Sequence, residues 1–138
     1  MWQTDITVAS FMISNPTNDV YGNRAAGSDF YGFWFGFRQK PEGVAVSALG
    51  DVCPQGNPVG NMSGNYAHSN TQYGMRLFTL YARKFPCLAV RNDQLTDPWS
   101  QNPSVESLFD SFVLYKNKGT GLLAEYTGHL VFDNFKVV

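Results

Sequence analysis

The sequence is short of charge. Aspartate, glutamate, lysine and arginine make up 15% of its 138 residues, against about 25% in an ordinary globular protein. The charges nearly cancel, to a net −1, with no basic stripe and no acidic run, so nucleic acid, which needs a clustered cationic face, is excluded as a partner. No apolar stretch approaches the ~18 residues of a membrane span, and Met1-Trp2-Gln3-Thr4-Asp5 lacks the basic and apolar regions of a signal peptide. There are only two cysteines, Cys53 and Cys87, neither in a CxxC pair, which sets aside thiolate metal sites and thioredoxin-like chemistry. No metal and no cofactor is expected. What the chain does have is 43% hydrophobic and 15% aromatic residues. That balance is the reverse of a disordered segment's, and the length suits one domain, or part of one, with a sizeable core.

An internal echo organises the chain. Gly22-Asn23-Arg24-Ala25 leads to Tyr31-Gly32-Phe33-Trp34-Phe35, and Gly64-Asn65-Tyr66-Ala67 leads to Tyr73-Gly74-Met75-Arg76-Leu77. A looser copy runs from Phe112-Val113-Leu114-Tyr115-Lys116-Asn117 to Gly121, and Leu130 to Phe135 begins a fourth. Repetition of this kind points to stacked architectures. The apolar runs are short, aromatic and alternating, with Phe33, Phe35 and Phe37 in period two, which reads as strand rather than helix. Asparagine and glycine suit the corners between strands because they tolerate left-handed backbone angles. Such a unit buries its apolar face only by stacking on its neighbours ~4.8 Å apart, and asparagines at equivalent corners then face each other as a hydrogen-bonded ladder. The expected fold is therefore all-β, with short coils stacked as a solenoid around a shared core.

Uneven spacing between copies marks insertions, placed at residues 38–59 and 88–103, both of turn composition. Val105, Leu108, Phe109, Phe112 and Val113 also fit one face of a helix capped by Ser104, but the β-rich run from Phe112 to Tyr115 sits in the repeat register, so strand is preferred. Cys53 and Cys87 are either free thiols or one disulfide. Each lies beside a proline in or near an insertion, and a bridge pinning a loop is the preferred reading, stabilising by about 3–4 kcal/mol in the chain-entropy model. Asn61-Met62-Ser63 is a glycosylation sequon, whereas Pro16 blocks Asn15-Pro16-Thr17.

Several blocks in collinear order carry a family resemblance. Ala9-Ser10-Phe11-Met12-Ile13-Ser14-Asn15-Pro16-Thr17-Asn18, then Asn23-Arg24-Ala25-Ala26-Gly27-Ser28, then Gly32-Phe33-Trp34, resemble a signature shared by fibrocystin, fibrocystin-like proteins and the cell-surface hyaluronan-degrading proteins. Val52-Cys53-Pro54-Gln55 resembles a fibrocystin-like piece, Asn65-Tyr66-Ala67-His68-Ser69 with Gly74 a shared element, and Tyr115-Lys116-Asn117 with Gly121 a later coil of the hyaluronidase branch. Met12 stands where the signature has tryptophan, as in a divergent member. The resemblance, from about Ala9 to Val138, implies a right-handed parallel β-helix over residues 1–138, part of a longer solenoid in a large secreted or membrane-tethered ectodomain, at the cell surface or outside the cell. It also implies that residues linked to hyaluronidase activity belong to a glycine-marked domain upstream.

Candidate sites follow. Asn23, Gly27, Ser28, Gly32, Asn65, His68, Ser69, Gly74, Asn117 and Gly121 form the repeat-corner motif. His68 is the one candidate for chemistry, since histidine titrates near neutral pH, with a polar corner residue bonding neighbouring coils as the plainer reading. His129 reads as a solvent-facing strand residue. The acids are scattered singly, whereas a polysaccharide-cleaving site wants paired carboxylates. Asp29 faces Thr71 or Gln72 in the next copy, not another acid. Phe30, Tyr31, Phe33, Trp34 and Phe35 are either a sugar-stacking platform or core, with core the preferred reading, Trp34 on the outer face as an exposed contact or covered by an insertion, and Trp99 as a loop anchor. The leading function is a structural or adhesive segment presenting loops to a glycan or an extracellular protein, and the alternative is a module of a polysaccharide-degrading enzyme. Lys136-Val137-Val138 reads as a strand without a cap and Met1 as the start of a segment. Further coils or adjacent subunits are expected at both ends, and the isolated segment is expected to aggregate or stay unfolded.

Overall fold

The computed structural model describes residues 8–46, 48, 52–90 and 98–138. Over these the chain winds through four coils of three short strands: β1 (Ala9–Ile13), β2 (Val20–Tyr21) and β3 (Arg24–Ala26); β4 (Tyr31–Gly36), β5 (Met62–Ser63) and β6 (Tyr66–His68); β7 (Tyr73–Tyr81), β8 (Ser107–Asp110) and β9 (Val113–Tyr115); β10 (Thr120–Gly128), β11 (Leu130–Asp133) and β12 (Lys136–Val137). Equivalent strands stack into three four-stranded sheets, β1-β4-β7-β10, β2-β5-β8-β11 and β3-β6-β9-β12, and every ladder is parallel. This is a parallel β-helix. The segment with helical periodicity is strand: Ser107 and Phe109 are buried while Leu108 between them is exposed, and Ser111, at φ 56°, turns the chain where a helix would have continued.

The inward columns explain why the alternating runs are aromatic. Ile13, Phe35 and Leu77 line up in the first sheet, as do Phe11, Phe33 and Met75. The second sheet contributes Val20, Met62 and Phe109, and the third the small pair Ala25 and Ala67 followed by Leu114. Phe33, Phe35, Phe109, Phe112, Met75, Leu77 and Leu114 are wholly buried, and each such side chain stabilises by roughly 1.5–3 kcal/mol through its removal from water.

Two corners repeat with the same backbone. Between second and third sheets Gly22, Gly64, Ser111 and Asn134 all take positive φ, and between third and first sheets Gly27, Ser69 and Lys116 do so. The residue after each faces inward. At the first corner Asn65 is fully buried. It accepts from the Asn23 backbone N–H at 3.0 Å and donates to the Val20 carbonyl at 2.7 Å. At the second, Asn70 accepts from Ser28 N–H at 3.1 Å and donates to Asn117 Oδ1 at 2.9 Å, and Asn117 donates to the Ala67 carbonyl. There are thus two amide ladders at different corners. In later coils the first column continues as Phe112 and Phe135, stacked at 5.1 Å. Gly32, Gly74 and Gly121 flank the second ladder: a Cβ on Gly74 would come within 2.5 Å of Asn117 Nδ2 and 2.8 Å of the Gly121 carbonyl.

Ala9 pairs with Tyr31, so a coil without insertion takes about 22 residues. The separation of 42 between Asn23 and Asn65, and of 47 between Asn70 and Asn117, contains a coil plus an excursion. The first excursion leaves β4 and returns to β5 through a 3-10 turn at Pro54–Gly56, closed by Gln55 N–H to the Arg38 carbonyl. The second leaves after β7 and returns before β8, its neck held by an Arg83–Ser104 antiparallel bridge and by Asn102 bonding both the N–H and the carbonyl of Phe85. Residues 88–103 lie inside it, with 91–97 outside the described residues.

Candidate functional site

The two excursions meet each other. Cys53 and Cys87 are joined by a disulfide across 34 positions, with Cα atoms 5.2 Å apart, and Arg83 N–H donates to the Gly56 carbonyl. Gly56 is needed here because a Cβ would run into the backbone of Pro86. The bridge therefore ties one coil's loop to the next coil's loop at one end of the first sheet.

At that end β7 and β10, nine residues each, extend past β4, which has six. Thr79 and Tyr126 lie side by side in the extension, both at positive φ, 63° and 53°. For a β-branched threonine this backbone is a genuine outlier. The kink turns Tyr126 outward, where it is 68% exposed and meets Phe78 edge-on at 5.6 Å. Residues 38–42 of the first excursion form the opposite wall, leaving a cleft of about 610 Å³ lined by Phe37, Lys40, Gln55, Phe78, Tyr81 and Tyr126 among others. The wall is braced by an exposed Arg38–Glu42 pair. Gln55, in the cleft lining, has a buried Oε1 that meets no hydrogen-bond donor among the described residues.

Next to the cleft lies a charged cluster on the outer face of the first sheet. Trp34, Arg76 and Leu123 are register partners. The Arg76 guanidinium sits 4.5 Å over the Trp34 ring, bonds Glu125 Oε2 through Nε and Nη2 at 3.1 and 2.9 Å, and donates to Tyr31 Oη at 3.0 Å. Burial works against its charge, but the hydrogen bonds to Glu125 and Tyr31 outweigh it and raise its pKa above the ordinary guanidinium value. Trp34 is therefore half-buried, and its ring contacts among the described residues come from Arg76, Tyr31 and Phe78 of the sheet. Arg76→Gln is expected to lower stability by about 1–2 kcal/mol, the worth of a partly desolvated cation–π contact and its charge-assisted hydrogen bonds, measured by urea unfolding. Nothing in the repeat pattern singles out Arg76. Its signal is only a charge at an outward position opposite a tryptophan.

The other sequence candidates fall elsewhere. His68 stacks on Tyr115 with ring centres 4.8 Å apart, and its Nδ1 hydrogen-bonds Ser69 Oγ at 3.1 Å. That is a corner contact between coils. His129 is not a strand residue: it takes positive φ in the corner between β10 and β11 and bonds Ser104 Oγ at 3.2 Å. Asn61 is exposed on the second sheet, its Oδ1 accepting from Ser63 Oγ. Trp99 falls in the single helical turn Pro98–Gln101. Asp29 is followed one coil later by Thr71, whose N–H bonds the Ser28 carbonyl. Asp5, Asp51, Asp93 and Asp97 lie outside the described residues. Among the described residues no three His, Cys, Asp or Glu side chains are grouped to hold a metal, and no helix is long and apolar enough to cross a membrane.

Comparison with known proteins agrees with the stacked geometry. The family model described as CEMIP beta-helix matches residues 2–75. Fibrocystin-L of Mus musculus is 28% identical over 143 residues, covering 90% of this chain and 3% of that protein. Cell surface hyaluronidase CEMIP2 of Homo sapiens is 28% identical, covering 84% of this chain and 9% of the relative, and the cell migration-inducing and hyaluronan-binding protein of Homo sapiens is 31% identical, covering 83% and 9%. This chain thus spans less than a tenth of each of these relatives. No solved structure gives a significant match. With the family model matching more than half of its residues and the coils stacked in three parallel sheets, the chain belongs to the CEMIP beta-helix family.

Proposed function

We propose that the chain is a β-helix module of a large extracellular or cell-surface protein, and that it presents its tethered excursions as a contact surface for a glycan or an extracellular protein. The observation that carries this reading is the cleft at the overhanging ends of β7 and β10, walled by an excursion that a disulfide holds in place. A disulfide persists outside the reducing cytosol, and the relatives include proteins named as cell-surface and hyaluronan-binding. Exposed Tyr126 and half-exposed Tyr81 offer flat apolar faces beside polar groups, the composition that suits sugar rings. Further coils of the same protein, or neighbouring subunits, cover the outer edges of the stack, because unpaired parallel strands are templates for pairing.

Glycan-array binding of the full-length protein and its Tyr126→Ala variant tests this. Tyr126→Ala is expected to weaken a bound glycan by about tenfold, or roughly 1.4 kcal/mol, without changing the melting temperature by more than a degree or two. Full binding in the variant would move the contact surface away from this cleft.

A further inference from the structure

We propose that Asn61 carries an N-linked glycan whose first N-acetylglucosamine lies back along the outer face of the second sheet, over Leu108. The proposal rests on the extracellular reading above. Asn61-Met62-Ser63 is the acceptor pattern, and its geometry is suited to attachment. Asn61 is exposed. Its backbone N–H is held by Asp19 Oδ1 at 2.7 Å and its Oδ1 by Ser63 Oγ at 2.7 Å, which leaves Nδ2 turned outward. The donor is a lipid-linked pyrophosphate oligosaccharide. A bond forms between Nδ2 and the anomeric carbon, the bond from that carbon to the pyrophosphate oxygen breaks, and the amide gives up one proton as the lipid pyrophosphate leaves.

The register then decides where the sugar goes. Met62 pairs with Phe109, and Asn61 and Leu108 each stand one residue ahead of that pair, so they are outward neighbours on adjacent coils, ~4.8 Å apart along the stack. Leu108 pairs in turn with Val131. Leu108 is 43% exposed in the outward column Asp19, Asn61, Leu108 and Val131, beside a second column of Tyr21, Ser63, Asp110 and Asp133. A groove of about 290 Å³ runs beside it, walled by Val59, Asn61, Leu108, Glu106 and Asp110. That space takes a single sugar residue, not a chain. The apolar face of the ring and its N-acetyl methyl would cover Leu108, and the carboxylates of Glu106 and Asp110 would accept from ring hydroxyls and the acetamido N–H. An exposed leucine between the acceptor asparagine and Val131, with the carboxylates of Glu106 and Asp110 beside it, is what such a seat requires.

The test uses full-length protein secreted from an N-glycosylating host. Glycopeptide mass spectrometry is expected to find Asn61 occupied in the unaltered protein, more fully in Ser63→Thr, and bare in Asn61→Gln and Ser63→Ala. Protein trimmed enzymatically to one N-acetylglucosamine should melt with the fully glycosylated form, and both bare variants about 2–4 °C lower. In a Leu108→Ser background that difference should vanish. A secreted, disulfide-bonded protein with Asn61 bare would overturn the inference while leaving the extracellular reading intact, whereas failure to enter the secretory route would remove the reading itself. A glycan present but thermally silent, or a difference that survives Leu108→Ser, would overturn the seat.

Discussion

Gly32→Ala is expected to be among the most destabilising single changes the chain can suffer, costing about 3 kcal/mol or more. Gly32 stands in the column Gly32, Gly74, Gly121, where the first sheet passes the second amide ladder. A Cβ built there would lie 2.5 Å from the Gly74 carbonyl, 2.8 Å from Ala67 Cβ and 2.8 Å from Asn70 Nδ2. Two of these atoms are fixed by the ladder and the backbone, and the third belongs to a wholly buried alanine, so none can give way cheaply. Gly22→Ala is the internal control. Its φ is +66° but nothing lies within 4 Å of the added atom, so its cost is only that of a left-handed residue, about 1–2 kcal/mol. The same corner already holds Ser111 and Asn134 in later coils. Thermal unfolding should place Gly32→Ala about 10 °C or more below the unaltered protein and Gly22→Ala within about 4–8 °C of it. Equal losses would mean that backbone angle, not crowding beside the amides, selects glycine in this fold.

The contrast between these two glycines also marks what was legible in the sequence. Alternation in Phe33, Phe35 and Phe37 and the repeated Asn–Gly corners report local physics, strand periodicity and left-handed angles, and these suffice to point to stacked coils. The shared signature pointed to the same family. The true coil length was hidden. The visible spacing of 42 is a coil of about 22 residues plus an excursion, and the bare step from β1 to β4 leaves no echo because Ser10 stands in register where the later coils have Gly32 and Gly74. Asn70 is hidden for a similar reason: its partner Asn117 lies 47 positions on, not 42, so the second ladder has no constant period. Arg76, Thr79 and Tyr126 were invisible in principle. Their roles arise from register across coils and from the overhang of two long strands, and no neighbour in sequence announces either. The meeting of the two excursions through Cys53 and Cys87 is likewise a relation between consecutive coils.

Asn65→Ala is expected to cost about 3–4 kcal/mol, because it removes one side chain that serves two backbone groups at once. Its Nδ2 is the donor to the Val20 carbonyl at 2.7 Å, and its Oδ1 the acceptor for the Asn23 N–H at 3.0 Å, with Asn23 Nδ2 also bonding Oδ1 at 3.2 Å. Alanine orphans a carbonyl and an amide at a corner closed to water, at roughly 1–3 kcal/mol per group. Asn65→Asp separates hydrogen bonding from size. The carboxylate keeps the acceptor but has no proton for Val20 and places a charge where the native amide is fully buried. Burial and the missing donor both raise the folded-state pKa of this aspartate above its unfolded value near 3.9. Its folded state is then favoured most below that unfolded value and loses ground as the pH climbs through the raised one. The variant should therefore be much less stable than the unaltered protein at pH 7 and close part of the gap towards pH 4, as the protonated acid donates to Val20. Urea unfolding across that range checks it. A gap independent of pH would show that the corner is wet and that stacked side chains, rather than the amide's two hydrogen bonds, hold the first two coils together.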